Sequence, residues 1–406
     1  MPALKHERLI LYLFAATQFT HIMDFMIIMP LGEMLMEELN IGAKQFAWLV
    51  ASYTITAGVS GFLSAFIVDS FDRKRFFITA YLGFAIGTVL CGLAGSYETL
   101  SAARVFTGVF GGVLSSTVLT IVSDVVAPER RAWGIGVVMT AFSLASALGL
   151  PLGLSAAFTF GWQVPFVFLG IVSLILSAGV AWVLPPVRSH LMAGGNRKRS
   201  FEFIKNIPRN KNQWMGLLFT MLLVFGQFTV IPFITPYLVE NVGFTRQEIT
   251  LVYLIGGIVT IVSNPRIGKW ADATDRFRVF GLMAAFSIVP LLLLTNLPRV
   301  PIWLALIVNA LFFFAISGRM VPSTTIVTTL IRPENRGSFM SLNTSVQNLT
   351  AGISSIIAGW LVYVPKGGGE VSGFWRVGLV AVVFTLIAIW MMSRLKRVES
   401  PTGKVQ

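Results

Sequence analysis

Twelve apolar runs divide the chain, at residues 8–31, 46–68, 76–96, 99–126, 132–159, 163–185, 213–239, 246–270, 278–297, 300–330, 338–364 and 374–394. A helix crosses the hydrocarbon of a bilayer in roughly 20 mostly apolar residues, so each run reads as one span. None alternates with a period of two, which argues against a β-barrel. Charged residues make up 12% of the 406, against about 25% in soluble domains, too few to cover a water-facing surface. Disorder is excluded by the hydrophobicity, and a disulfide-stapled secreted module by the single cysteine, Cys91. Run 1 carries Asp24 and precedes no small-residue cleavage site. It reads as a retained helix and not a signal peptide.

The formal net charge of +13 could mark a nucleic-acid binder, but its placement says otherwise. With the N-terminus cytoplasmic, 24 of the 31 Lys and Arg fall in cytoplasmic segments, 5 in outer ones, and Arg104 and Arg319 inside spans. Basic residues concentrate on the cytoplasmic side of membrane proteins. Both ends are therefore expected in the cytoplasm, with a bacterial inner membrane as the location. Partners follow from this: membrane lipid and no nucleic acid.

The chain also repeats itself at half its length. Asp69-Ser-Phe-Asp72-Arg73-Lys74-Arg75 after span 2 returns as Asp272-Ala-Thr-Asp275-Arg276-Phe-Arg278 after span 8, shifted by 203 residues. Pro128-Glu129-Arg130-Arg131 after span 4 returns as Pro333-Glu334-Asn335-Arg336 after span 10, shifted by 205. The fold expected is an all-α membrane protein of twelve helices in two pseudo-symmetric six-helix halves, 1–185 and 213–406. The basic stretch 186–212 then forms a cytoplasmic linker. Two parallel repeats of this kind are a transporter plan, with a binding site near the membrane midplane between them.

These loops resemble those of the major facilitator superfamily. The family's loop signature opens with Gly four residues before the Asp; Gly268 stands there in the second half and Ala65 in the first. Arg104-Val-Phe-Thr107-Gly108 is similar to the family's helix-4 Arg-x-x-Gln-Gly motif, with Thr107 for Gln. Gly149-Leu150-Pro151-Leu-Gly153 resembles the helix-5 motif of bacterial drug:proton antiporters and arabinose-efflux-like permeases, with Leu150 where Gly usually precedes the Pro. The resemblance covers the whole chain and implies a monomeric secondary transporter that works by alternating access, without cofactor or metal. In that reading Gly149, Pro151 and Gly153 help to seal one side of the barrier; otherwise Pro151 only kinks its helix.

Asp24 is the acidic residue placed within the hydrocarbon, and an ionisable group there marks function by default, with a partner. It lies six residues before Pro30 at the outer end of helix 1, and Arg104 lies six after Glu98 at the outer end of helix 4. At 1.5 Å per residue both sit roughly 9 Å deep, so they are expected to face each other. Protons would couple through such a pair if conformational change altered its protonation; a structural ion pair that never titrates is the alternative. His21, one turn before Asp24, is a relay candidate.

Candidates for a cavity that takes a small-molecule substrate are Gln18, Gln227 (the echo of Asp24), Asn309, Arg319, Asn343 and Gln347. Arg319 either meets an anionic substrate group, caps carbonyls freed by Pro322, or reaches the cytoplasmic surface. Gating is expected from Asp69, Asp72, Arg73 and Arg75 with Asp272, Asp275 and Arg276, and from Glu129, Arg130, Glu334 and Arg336, whose charges could pair across the halves and lock one conformation. The alternative is a solvated loop kept basic for topology.

The expected activity is proton-coupled efflux. An importer or a lysolipid translocator on the same scaffold stays open. A membrane enzyme is disfavoured, because the three histidines, His6, His21 and His190, form no zinc motif. No Gly-Lys-Ser/Thr loop is present to bind ATP.

Overall fold

The computed structural model describes residues 7–64, 67–68, 71–127, 130–187, 210–331 and 336–395. The loop residues Asp69, Glu129 and Glu334 and most of the expected linker lie outside them, as does the side chain of Arg336.

Among the described residues, twelve long helical segments follow one another. They are α1 (Glu7–Ile27), α2 (Ala43–Ser64), α3 (Arg73–Gly92), α4 (Tyr97–Val125), α5 (Arg131–Leu144, continued by Ala145–Gly149 and Leu150–Phe160) and α6 (Gln163–Val183). The second set is α7 (Lys211–Val242), α8 (Arg246–Ala273), α9 (Arg276–Thr295), α10 (Ile302–Thr329), α11 (Arg336–Leu361) and α12 (Phe374–Met392). A short helix, Gly32–Glu38, lies between α1 and α2. Among the described residues, eleven helices are long and apolar enough to cross a membrane. The twelfth segment, α11, is more polar and packs one side against α2 and α7. Its buried Ser345, Thr350, Ser354 and Ser355 donate their hydroxyl hydrogens to carbonyls of their own helix, the usual way a hydroxyl is satisfied in hydrocarbon.

The repeated loops act alike at the helix starts. Asp72 accepts a hydrogen bond from Lys74 N and begins α3, and Asp275 accepts one from Phe277 N and begins α9, both at 2.9 Å. Such caps satisfy amides that the first helical turn leaves open. Asp72 also accepts from Val187 N, which ties the start of α3 to the end of α6.

The halves α1–α6 and α7–α12 meet along two seams, α2 on α11 and α5 on α8. Small residues make the approach possible. A Cβ on Gly58 would lie 2.6 Å from Leu349 Cγ, and one on Gly257 would lie 2.5 Å from Ala147 Cα. The second contact falls on a widened π-type turn, Ala145–Gly149. Its position follows from Pro151, which cannot donate to Ala147 and crowds the preceding turn. Gly149 and Gly153 press against Met23 and Ile27 of α1.

Ion pairs also join the halves, at the face carrying the α1–α2 and α7–α8 connections. Arg246, at the start of α8, donates to Glu33 from Nε at 3.1 Å and from Nη2 at 2.9 Å, and also pairs with Glu37.

Candidate functional site

Asp24 and Arg104 meet inside the first half. Arg104 Nη1 lies 2.9 Å from Asp24 Oδ2 and 3.3 Å from the Asp24 carbonyl oxygen. Both residues are 0% exposed. The sequence permits this because the α4 face carrying Arg104 is otherwise small: Gly108 and Gly111 let α2 come close. A charge buried here without a partner would cost several kcal/mol, so each side chain requires the other.

Tyr53 of α2 extends the pair. Its ring lies 4.3 Å from the Arg104 guanidinium carbon, within reach of a cation–π interaction. Its hydroxyl is 3.1 Å from His21 Nε2, and His21 Nδ1 is 3.4 Å from Ser115 Oγ. Ser115 donates to Gln18 Oε1 at 3.3 Å. One donor direction satisfies all three links: Tyr53 O–H to Nε2, Nδ1–H to Ser115, Ser115 O–H to Gln18. Asp24, Arg104, Tyr53, His21, Ser115 and Gln18 thus form one polar chain across α1, α2 and α4.

The chain borders a cavity of about 100 Å³ between the halves, lined by His21, Ile22, Phe25, Tyr53, Ala57, Gly111, Gly112 and Ser115 on one side and Thr344 and Asn348 on the other. This is room for several waters. A smaller cavity of about 20 Å³ lies within the second half, between Thr220, Ser323, Thr324, Asn343, Gln347 and apolar neighbours. The polar stripe of α11 therefore faces two ways: Asn343 and Gln347 inward to its own half, Thr344 and Asn348 across to the other.

Gln18, Gln227, Asn309 and Arg319 line neither of these two cavities. Asn309 is buried and donates to Ala305 O at 2.9 Å. Arg319 is 1% exposed and donates from Nη1 to Ser287 Oγ on α9 at 3.2 Å and to Thr385 Oγ1 on α12 at 3.0 Å. Those hydroxyls donate to Ala284 O and Ala381 O, so they turn lone pairs to the guanidinium. Of the loop residues, Arg73 pairs with Asp124, Arg130 with Glu7 at 3.3 Å and Arg276 with Asp272 at 2.9 Å. Each of these pairs stays within one half. Sequence reasoning passed over Tyr53 and Asp124. Tyr53 had a usable signal, since it stands between Ser52 and Thr54 within a membrane span.

The fold agrees with that of the chain's relatives. The Major Facilitator Superfamily model matches twice, at residues 14–229 and 216–406. The protein belongs to that superfamily and is a multi-pass membrane transporter. It is 25% identical over 399 residues to the uncharacterized MFS-type transporter YceJ of Bacillus subtilis, covering 98% of this chain and 97% of the other. A probable sugar efflux transporter of Mannheimia succiniciproducens is 23% identical over 54% of this chain and 52% of its own. In three dimensions the chain resembles a bacterial homolog of the human lysosomal transporter Spinster in an inward-facing, occupied conformation. That match has a TM-score of 0.76 at 17% identity, over 98% of this chain and 99% of the other. These relatives are transporters, not enzymes.

Proposed function

We propose that the protein is a proton-coupled antiporter that exports a small organic solute by alternating access, with both termini in the cytoplasm of a bacterial inner membrane. The observation that carries this reading is the fully buried Asp24–Arg104 pair beside a cavity shared by the two halves. Arg104 neutralises the Asp24 carboxylate where no water reaches it. When that partner moves or water enters, the balance shifts, and the proton follows the conformation. Tyr53 touches Arg104 with its ring and His21 with its hydroxyl, and both Tyr53 and His21 line the cavity. Export as the direction is supported by the likeness to a sugar efflux transporter.

The test uses proteoliposomes loaded with a pH-sensitive dye and exposed to a panel of neutral sugars and amphipathic organic compounds under an imposed pH gradient. At least one compound should accumulate against its gradient and dissipate the pH difference. The Asp24→Asn variant should lose that pH drive; an Asp24→Asn protein with full pH-gradient dependence refutes the assignment.

A further inference from the structure

Tyr53 is placed where cavity, ion pair and second half converge. It lines the cavity, and its ring covers one face of the Arg104 guanidinium at 4.3 Å. Behind it Asp24 has no solvent exposure. Phe25, also a cavity wall, stacks on Tyr53 with ring centroids 5.9 Å apart. Phe25 in turn meets Phe228 of α7, in the other half, at 6.0 Å. Gly111 makes the position possible, because a Cβ there would lie 2.5 Å from the Tyr53 hydroxyl oxygen. The titratable groups grouped around Asp24 are Arg104 on α4, Tyr53 on α2 and Cys91 on α3. Tyr53 alone among these three borders the cavity.

We propose that Tyr53 is the shutter between the cavity and the Asp24–Arg104 pair. Its ring keeps cavity water from the carboxylate, and its displacement opens Asp24 to proton exchange. Two events reach the ring. A solute in the cavity touches it directly, and a rocking of the halves moves Phe228, which supports Phe25 and through it Tyr53. Solute occupancy and conformation thereby act on one side chain. Tyr53 is a positioning residue here, since it acts through Asp24. The inference rests on the reading that Asp24 carries the coupled proton.

The experiment labels the full-length protein in detergent with a water-soluble carbodiimide and glycine ethyl ester. Amide formation at Asp24 is read by mass spectrometry relative to Glu33 as an internal reference, with Asp24→Asn as the blank. Labelling of a buried group reports how often it opens to water. Tyr53→Ala should therefore raise the Asp24-to-Glu33 ratio about tenfold or more, and Tyr53→Phe, which keeps the ring, should stay within about twofold of the parent. Tyr53→Leu replaces Tyr53→Ala if the alanine variant aggregates. An unchanged ratio in Tyr53→Ala or Tyr53→Leu overturns the proposal. So does a rise in Tyr53→Phe that matches the truncated variant, or a rise shared equally by Glu33, which general loosening would give. Transport by Asp24→Asn tests the coupling role separately. If its pH drive persists while the labelling result holds, the shutter stands and the proton assignment falls.

Discussion

The two halves share a scaffold but not its charges. In the first half, at the depth where α1 faces α4, stand Asp24 and Arg104, fully buried and 2.9 Å apart. The sequence repeat carries these positions to Gln227 on α7 and Asn309 on α10. Neither amide can change charge, and Asn309 donates to its own helix backbone. The second half instead holds Arg319 nearer the far end of α10, supported by the hydroxyls of Ser287 and Thr385. The comparison teaches that a duplicated bundle can place an acid–base pair at this depth in one copy and uncharged amides in the other.

The contrast can be broken by truncating each position. Arg104→Ala leaves a buried carboxylate without its cation and should cost about 3–5 kcal/mol in detergent melts. The matching Asn309→Ala should cost only about 1 kcal/mol. Equal losses would erase the distinction. A double change, Asp24→Asn with Arg104→Gln, gives the first half the chemistry of the second. It should recover most of the stability lost in Arg104→Ala, because contacting residues are not additive, while transport loses its pH dependence. The two buried arginines should also respond differently to a nonpolar replacement. Arg319→Met removes a charge whose partners among the described residues are hydroxyls and should melt within about 1 kcal/mol of the parent, or higher. Arg104→Met should melt well below it. The smallest effect belongs to the pairs joining the halves at their rim. Arg246 is 35% exposed in its side chain, so a double-mutant cycle of Arg246→Ala with Glu33→Ala should give at most about 1 kcal/mol, declining as salt is added.

Much of this contrast was legible in the chain. Counting from the helix ends placed Asp24 and Arg104 at one depth because a membrane helix has a fixed rise and its ends are marked by charge and proline. The repeat was legible because the loop acids recur: Asp72 and Asp275 are both needed to cap the helices that follow. Period and depth do not report azimuth, however. Sequence leaves Arg319 three places, an anionic substrate group, the carbonyls freed by Pro322 or the cytoplasmic surface, and packing turns it toward α9 and α12. The same limit hid Tyr53, whose place between α1 and α4 depends on Gly108 and Gly111 letting two helices close. It also hid Asp124, which sits at the end of an apolar run and pairs with Arg73 across 51 residues.

The central claim is that Asp24 trades a proton as the cavity changes its occupant. The direct measurement is proton release by the detergent-purified protein on adding a solute that it transports, followed with a pH indicator in weakly buffered solution. The parent chain should release protons on binding, and Asp24→Asn should bind the same solute without releasing any. Equal release from both proteins, or none from the parent, would contradict the account.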